Sequence, residues 1–218
     1  MSMQNRIKTN TLCLIVYLAI LASSLGIQLS YAMNVVESFE DKLVAAAIER
    51  TKHKVIYDGR YIQLDYPNGD VPKGIGVCTD VIIRSYRALG IDLQKEVHED
   101  MEKHFDLYPK IWGLKTPDTN IDHRRVPNLQ TFFSRHGRSL PISKIINNYK
   151  PGDIVTWNIA NFWHKFFKGK NNVPHIGIVI NEKSKNGIPM IIHNEGHGVK
   201  KEDMLFKYKI TGHYRYKK

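Results

Sequence analysis

GIGVCTDVIIRSYRALG, residues 74–90, changes character at its fifth position. Before Cys78 it is glycine-rich and unsuited to a helix. After it, Val81, Ile82, Ser85, Tyr86 and Leu89 recur at helical spacing and form one inward face, and Gly90 stops the run. The cysteine therefore stands at a helix start. Unpaired backbone N–H groups and the helix dipole there favour a thiolate over a thiol. One of the same N–H groups can hold the oxyanion of a tetrahedral intermediate. Gly74 and Gly76 allow a sharp turn and leave room for a substrate to approach. Asp80 suits a helix start but opposes a thiolate unless its carboxylate caps a backbone N–H. A buried, inert cysteine is the alternative at this position.

Upstream and downstream of this stretch the pattern is that of an α+β domain. Residues 35–52 carry Phe39, Leu43, Ala46 and Ala47 on one helical stripe. Residues 55–76 are extended and rich in breakers. The segment from Asp92 to Pro109 reads as a helix with Leu93, Val97, Met101 and Phe105 four apart, and residues 112–125 read as loop. VPNLQTFFSRHG reads as a short helix with Leu129, Phe132 and Phe133 inward. The remainder is β-like: GDIVTW, HIGIVI, PMIIHN and KITGHYRY. Helices first and strands after predict helices packed on an antiparallel sheet. No internal repeat and no domain boundary is visible behind the leader.

The leader bounds the compartment. Arg6 and Lys8 precede an apolar run, and Ser30 and Ala32 have the small-x-small form of a cleavage site. Residues 1–32 are thus expected to be a signal peptide, with residues 33–218 as one domain in the periplasm or secreted. A retained membrane anchor is the alternative, because the run is long for a signal peptide. The formal net charge is +11, and the leader carries two basic residues and no acid, so the mature chain keeps +9. Such a charge suits anionic envelope partners, and export argues against nucleic acid. Of the two cysteines, Cys13 leaves with the leader. Cys78 then has no internal disulfide partner, which points to an intermolecular, a buried or a reactive thiol.

A nucleophilic cysteine needs a base, and VPHIGIVI offers His175. Alternation puts Ile176, Ile178 and Ile180 on one face of a strand and His175, Gly177 and Val179 on the other. Gly177 leaves space beside the imidazole. The alternative is a strand-end histidine making one backbone hydrogen bond.

The order GVCTD, PGDIVTW, PHIGIV and IIHN resembles the NlpC-type branch of the papain-like cysteine peptidases and amidases, which cut cell-wall peptides. The chain more closely resembles a family of secreted bacterial proteins of unassigned function. That likeness rests on YPNGDVP, GVCTDVIIR, NIDHRRVPNLQTFF, PGDIVTW, PHIGIV and ITGHYRY, and covers about Lys52 to Tyr216. The resemblance implies a papain-like α+β fold, Cys78 as nucleophile and His175 as base, with no cofactor. It implies His193 as the residue that orients the imidazole, with Asn194 in reserve. If Asn186-Gly187 forms a two-residue hairpin turn, His193 faces Ile180 and lies five positions, roughly 16 Å, out of register with His175. The third role then requires a bulge, a longer loop or strong twist. Relatives in the superfamily often use an upstream tyrosine at the oxyanion site, and Tyr57, Tyr61 and Tyr66 all qualify. Where the superfamily often has an acid and a serine flanking the cysteine, this chain has Val77 and Thr79.

Arg124 and Arg125, in NIDHRRVPN, are candidates for binding substrate carboxylates. Tyr61 and Asp80 join them as candidate substrate contacts. The alternative for the arginine loop is a structural hub, with Asp122 paired to an arginine. No metal site is expected: His98 and His104 are badly spaced for one helix face, and HExxH is absent. NFWHKFFKGKNN interleaves Phe162, Trp163, Phe166 and Phe167 with lysines, as a lip over a cleft or a patch touching membrane would. The alternative is a satellite core under a long loop.

The expected function is a monomeric exported hydrolase of amide bonds in cell-wall peptides. A thiol acyltransferase, a non-catalytic envelope-binding domain and an exported toxin are the rivals. Intact-mass measurement of envelope protein should find a chain beginning at Met33; a species that keeps its leader would make it membrane-anchored instead.

Overall fold

The computed structural model describes Ile20, residues 37–159 and residues 173–218. The expected leader, apart from Ile20, and the aromatic segment with Phe162, Trp163, Phe166 and Phe167 lie outside the described residues. Phe39–Lys218 forms one compact unit; of the unit before it only Ile20, Glu37 and Ser38 are described. Among the described residues no helix is long and apolar enough to cross a membrane.

Within Phe39–Lys218, four α-helices come first among the described residues: α1 (Phe39–Arg50), α2 (Cys78–Arg87), α3 (Leu93–His104) and α4 (Val126–His136). Two short strands, β1 (Ile56–Tyr57) and β2 (Ile75–Gly76), pair in parallel just before α2. The main sheet follows, from β3 (Arg138–Ser139), β4 (Ile154–Ile159), β5 (Val173–Lys183), β6 (Pro189–Asn194), β7 (Val199–Glu202) and β8 (Lys209–Arg215). Its order is β3-β8-β4-β5-β6-β7, and every pairing is antiparallel. The expected α+β architecture of helices packed on an antiparallel sheet is what the chain forms. The expected elements are there, with β1, β2, β3 and β7 in addition.

The alternation in β5 sorts the core. Ile176, Ile178 and Ile180 pack on the helix side with Val81, Ile82 and Tyr86 of α2 and Phe132 and Phe133 of α4. Val179 faces the other way, into a smaller cluster with Trp157, Ile191, Met204 and Leu205. Full burial of each isoleucine contributes about 1.5–3 kcal/mol. This two-sided burial fixes the register, because a slip of one residue would put His175 and Gly177 where isoleucines belong.

The hairpin between β5 and β6 departs from the two-residue turn. Gly187 has φ +75° and donates to the Ser184 carbonyl at 2.9 Å, and Ser184 pairs with Ile188. The loop is thus one residue longer on the β5 side. A bulge between Val179 and Lys183 moves the ladder again, so that Ile178 faces Ile192 and Val179 faces Ile191. Continuing that ladder sets His193 beside Gly177, not Ile180. A Cβ on Gly177 would meet Ile191 Cγ2 at 2.6 Å, the Ile192 carbonyl at 3.0 Å and His193 Cβ at 3.3 Å. The glycine is required by this close approach of β6.

Gly177→Ala should therefore cost about 1–3 kcal/mol in urea unfolding, as overpacking of a rigid sheet does. A variant as stable as the parent would mean that β6 does not approach β5 this closely.

Candidate active site

β1 and β2 build the entrance to α2. Their register pairs Tyr57 with Gly76, two residues before Cys78, and so brings the Tyr57 hydroxyl beside the thiol. Cys78 is the first residue of α2, with Val77 as N-cap. It is a free cysteine and only 4 % exposed. Gly76 is extended, in β2. The space beside it is filled by Asp80, whose Cβ and Oδ2 a Cβ on Gly76 would meet at 3.2 Å, so that room is not left for a substrate.

Asp80 sits at the third helical position and accepts the Val77 N–H at 2.6 Å, the carboxylate half of a capping box. Arg124 grips the same carboxylate through Nε at 2.9 Å and Nη2 at 3.0 Å, with both side chains buried. Arg124 also donates to the carbonyls of Arg60 and Asp58, and its own carbonyl accepts the Thr79 hydroxyl. Arg124 and Asp80, the candidate substrate contacts, make here the contacts of a structural hub, and Arg124 also lines the cleft. Their polar groups are engaged with one another and with the backbone around them. Arg125 differs. It donates to Asp122 at 3.0 Å, lies 4.1 Å over the Trp112 ring and lines the cleft. Tyr61 lines the same cleft and is held by Asp118 and Asn120; it is not the tyrosine at the cysteine. Tyr66 packs edge-on against His98 instead.

The cleft is about 1070 Å³ and is lined by Tyr57, Cys78, Trp112, Arg125, His175 and Glu195 among others. That size suits a small peptide fragment. His175 and His193 share a sheet face as a diagonal cross-strand pair. His175 Nε2 lies 2.9 Å from His193 Nδ1, and His193 Nε2 lies 3.2 Å from Glu202 Oε2. Asn194 points away, donating to the Gly76 carbonyl and accepting from the Gly196 amide. Glu202 was not visible as a site residue in the sequence. It sits on β7, and the ladder pairs His193 with Lys200, two residues before it.

The protonation states follow from these contacts. Burial works to raise the Glu202 pKa, but Lys200 and Lys207 hold it down to about 2. Its carboxylate therefore only accepts. Burial pushes His193 down to about 4 and His175 down to about 3, so both rings are neutral. Glu202 accepts the His193 Nε2–H. The lone pair on His193 Nδ1 then accepts the His175 Nε2–H. That leaves His175 Nδ1 as the unprotonated nitrogen, and it has no hydrogen-bond partner among the described residues.

The thiol departs from the sequence expectation. A helix start and a nearby histidine favour a lowered pKa, but burial dominates and pushes Cys78 up to about 12. The Ile176 amide, the Thr79 amide and the Tyr57 hydroxyl pull the other way, and Asp80 adds to the rise. The resting pair is a neutral thiol and a neutral imidazole. Alkylation of the folded protein by iodoacetamide near neutral pH should therefore be slow; rapid labelling would mean an accessible thiolate.

His193, Glu195 and Glu202 bring potential ligand atoms within 4.8 Å of one another. Both His193 nitrogens are already engaged, and Glu202 is paired with Lys200 and Lys207.

The profile of the family described as "Domain of unknown function (DUF1287)" matches residues 44–216. Over 162 residues the chain is 51% identical to the uncharacterized protein YijF of Escherichia coli (strain K12), covering 74% of each chain. Two solved structures are similar at low scores. The structure of NlpC1 from Trichomonas vaginalis is 13% identical with a TM-score of 0.43, over 83% of this chain and 46% of that one. The crystal structure of a lipoprotein-like member of the NLP/P60 family from Staphylococcus aureus subsp. aureus Mu50 is 14% identical with a TM-score of 0.41, over 84% and 44%. The chain spans less than half the length of either structure.

Both rings titrate below the ordinary histidine value of 6.5 in the folded chain. The unfolded chain therefore binds more protons as the pH falls from about 6.5, and folding stability drops through that window toward the folded values. The slope is up to about 1.4 kcal/mol per pH unit for each ring. Urea unfolding between pH 7 and 4.5 should follow this fall, and His175→Gln should make it shallower; an unchanged slope would mean that His175 is not buried neutral.

Proposed function

The chain belongs to the DUF1287 family, a domain of unknown function, and we propose that it is an exported cysteine hydrolase of amide bonds in cell-wall peptides. One observation carries this reading. A helix-start cysteine and a histidine line one cleft, and the histidine is held in a single tautomer by a second histidine and a carboxylate. That is the arrangement of nucleophile, base and orienter used in covalent hydrolysis.

In this mechanism the thiol and the imidazole start neutral. His175 Nδ1 takes the Cys78 proton as sulfur attacks the carbonyl carbon, so no thiolate has to persist in the buried site. A C–S bond forms and the carbonyl electron pair moves to oxygen. The backbone N–H groups at the start of α2 and the Tyr57 hydroxyl are donors for that oxyanion. The imidazolium is stabilised through His193 by the Glu202 carboxylate. His175 then gives its proton to the leaving amine as the C–N bond breaks. Water, deprotonated by His175, attacks the thioester and frees the carboxylic acid and the thiol. Arg125, beside Trp112 in the cleft, is the cation suited to a substrate carboxylate.

The chain of hydrogen bonds makes a specific demand on Glu202. A glutamine there can donate to His193 Nε2, which reverses both tautomers and leaves a proton on His175 Nδ1. An aspartate keeps the acceptor.

Mass spectrometry of purified cell-wall fragments incubated with the mature protein tests the reading. Wild type should release cleaved peptides. Cys78→Ala and His175→Ala should stay folded and lose about 10³-fold or more in rate. Glu202→Gln should lose far more than Glu202→Asp. Acyl transfer to an added amine in place of water would make the protein an acyltransferase, and full activity in Cys78→Ala would remove the cysteine mechanism.

A further inference from the structure

Behind the turn that presents Cys78 lies a second cavity, of about 370 Å³. Val77 lines both cavities, so they share a wall. The second one is lined by basic side chains from three separate segments. Arg50 closes α1, Lys73 precedes β2, and Arg84 and Arg87 lie three apart on the outer face of α2.

The charges in this cavity do not balance. Asp80, at its edge, is taken by Arg124 and the Val77 amide. Asp70 is shared between Arg84 at 2.9 Å and Arg87 at 3.2 Å. No carboxylate lies within ion-pair distance of Arg50 or Lys73 among the described residues. Hydrogen bonding is also incomplete. The Nε groups of Arg50 and Arg87 are buried with no hydrogen-bond partner, and Arg87 Nη1 meets Asp70 without hydrogen-bond geometry. Guanidinium N–H groups left without an acceptor carry a desolvation cost. An acceptor-rich anion removes that cost and the excess positive charge together.

We propose that this cavity binds an oxyanion, the carboxylate or phosphate group of a small ligand, between Arg50, Lys73, Arg84 and Arg87. Arg84 and Arg87, already aligned by Asp70, supply its inner wall. Arg50 supplies the opposing donor, and Lys73 supplies charge at the mouth. The site is separate from the cysteine cleft and does not depend on the hydrolase reading.

The probes are inorganic phosphate and acetate, titrated into the full mature protein at constant ionic strength with chloride as the reference salt. NMR of the arginine Nε–H signals reports the site directly. Saturable shifts of the Arg50 and Arg87 signals are expected with phosphate, acetate or both, and the stronger probe identifies the anion. Arg50→Gln and Lys73→Gln should each weaken binding, the former by about tenfold or more. Neither side chain holds a carboxylate partner among the described residues, and circular dichroism checks that both variants fold. Cys78→Ser should bind as wild type does. The proposal fails if neither anion saturates above chloride, if Arg50→Gln binds unchanged, or if Cys78→Ser abolishes binding and so moves the anion to the cleft.

Discussion

The buried carboxylate of Asp80 holds together three segments that are far apart in sequence. It caps the amide of Val77, which starts the cysteine helix, and receives Arg124 in a two-pronged grip. Arg124 in turn holds the carbonyls of Asp58 and Arg60, just beyond Tyr57, and anchors the turn that carries Arg125. Tyr57, Cys78 and Arg125 therefore owe their common cleft to one ion pair. Losing either partner would leave a buried charge unmatched, a loss of about 3–5 kcal/mol in comparable sites. The same pairing eases, without removing, the electrostatic effect of an acid two residues from Cys78, which still adds to the rise in the thiol pKa. The negative charge is directed into an arginine and a helix-start amide.

The other half of the site depends on strand register. His175 can meet His193 because the β5–β6 hairpin has a longer loop and a bulge, and because Gly177 lets the strands approach. Each ring is then dry and neutral, and the carboxylate of Glu202 decides which nitrogen carries the proton. Under the proposed mechanism the arrangement favours a base that acts when substrate arrives over a thiolate that waits for it. Burial outweighs the helix start at Cys78: desolvation acts on the whole thiolate, whereas the amides and the Tyr57 hydroxyl offset it only in part.

Local patterns made much of this legible. The stripe from Val81 to Leu89 revealed the helix and put Cys78 at its start. The alternation from His175 to Ile180 separated site face from core face. What the sequence did not reveal depends on contacts between distant residues. Asp80 and Arg124 are 44 positions apart, and nothing near either marks the other. Three tyrosines precede the cysteine, and only the parallel pairing of β1 with β2 singles out Tyr57. Asn186-Gly187 has the composition of a two-residue turn, but the strands' need to bury both faces selects a different register. Glu202 lies in a run of lysines that reads as solvated surface. Asking which carboxylate could face His193 from the next strand would have found it.

Among the described residues β7 is an edge strand of the sheet, four residues long, and pairs with β6 alone. Glu202 ends it. Edge strands open more readily than central ones, because fewer hydrogen bonds and less buried apolar surface hold them. The proton order of the two histidines thus hangs on an edge of the sheet. Fraying of β7 would release both tautomers while the isoleucine core stayed intact. Mild heat or denaturant should scramble the base before it melts the domain, and amide exchange at Val199–Glu202 would time the two events separately.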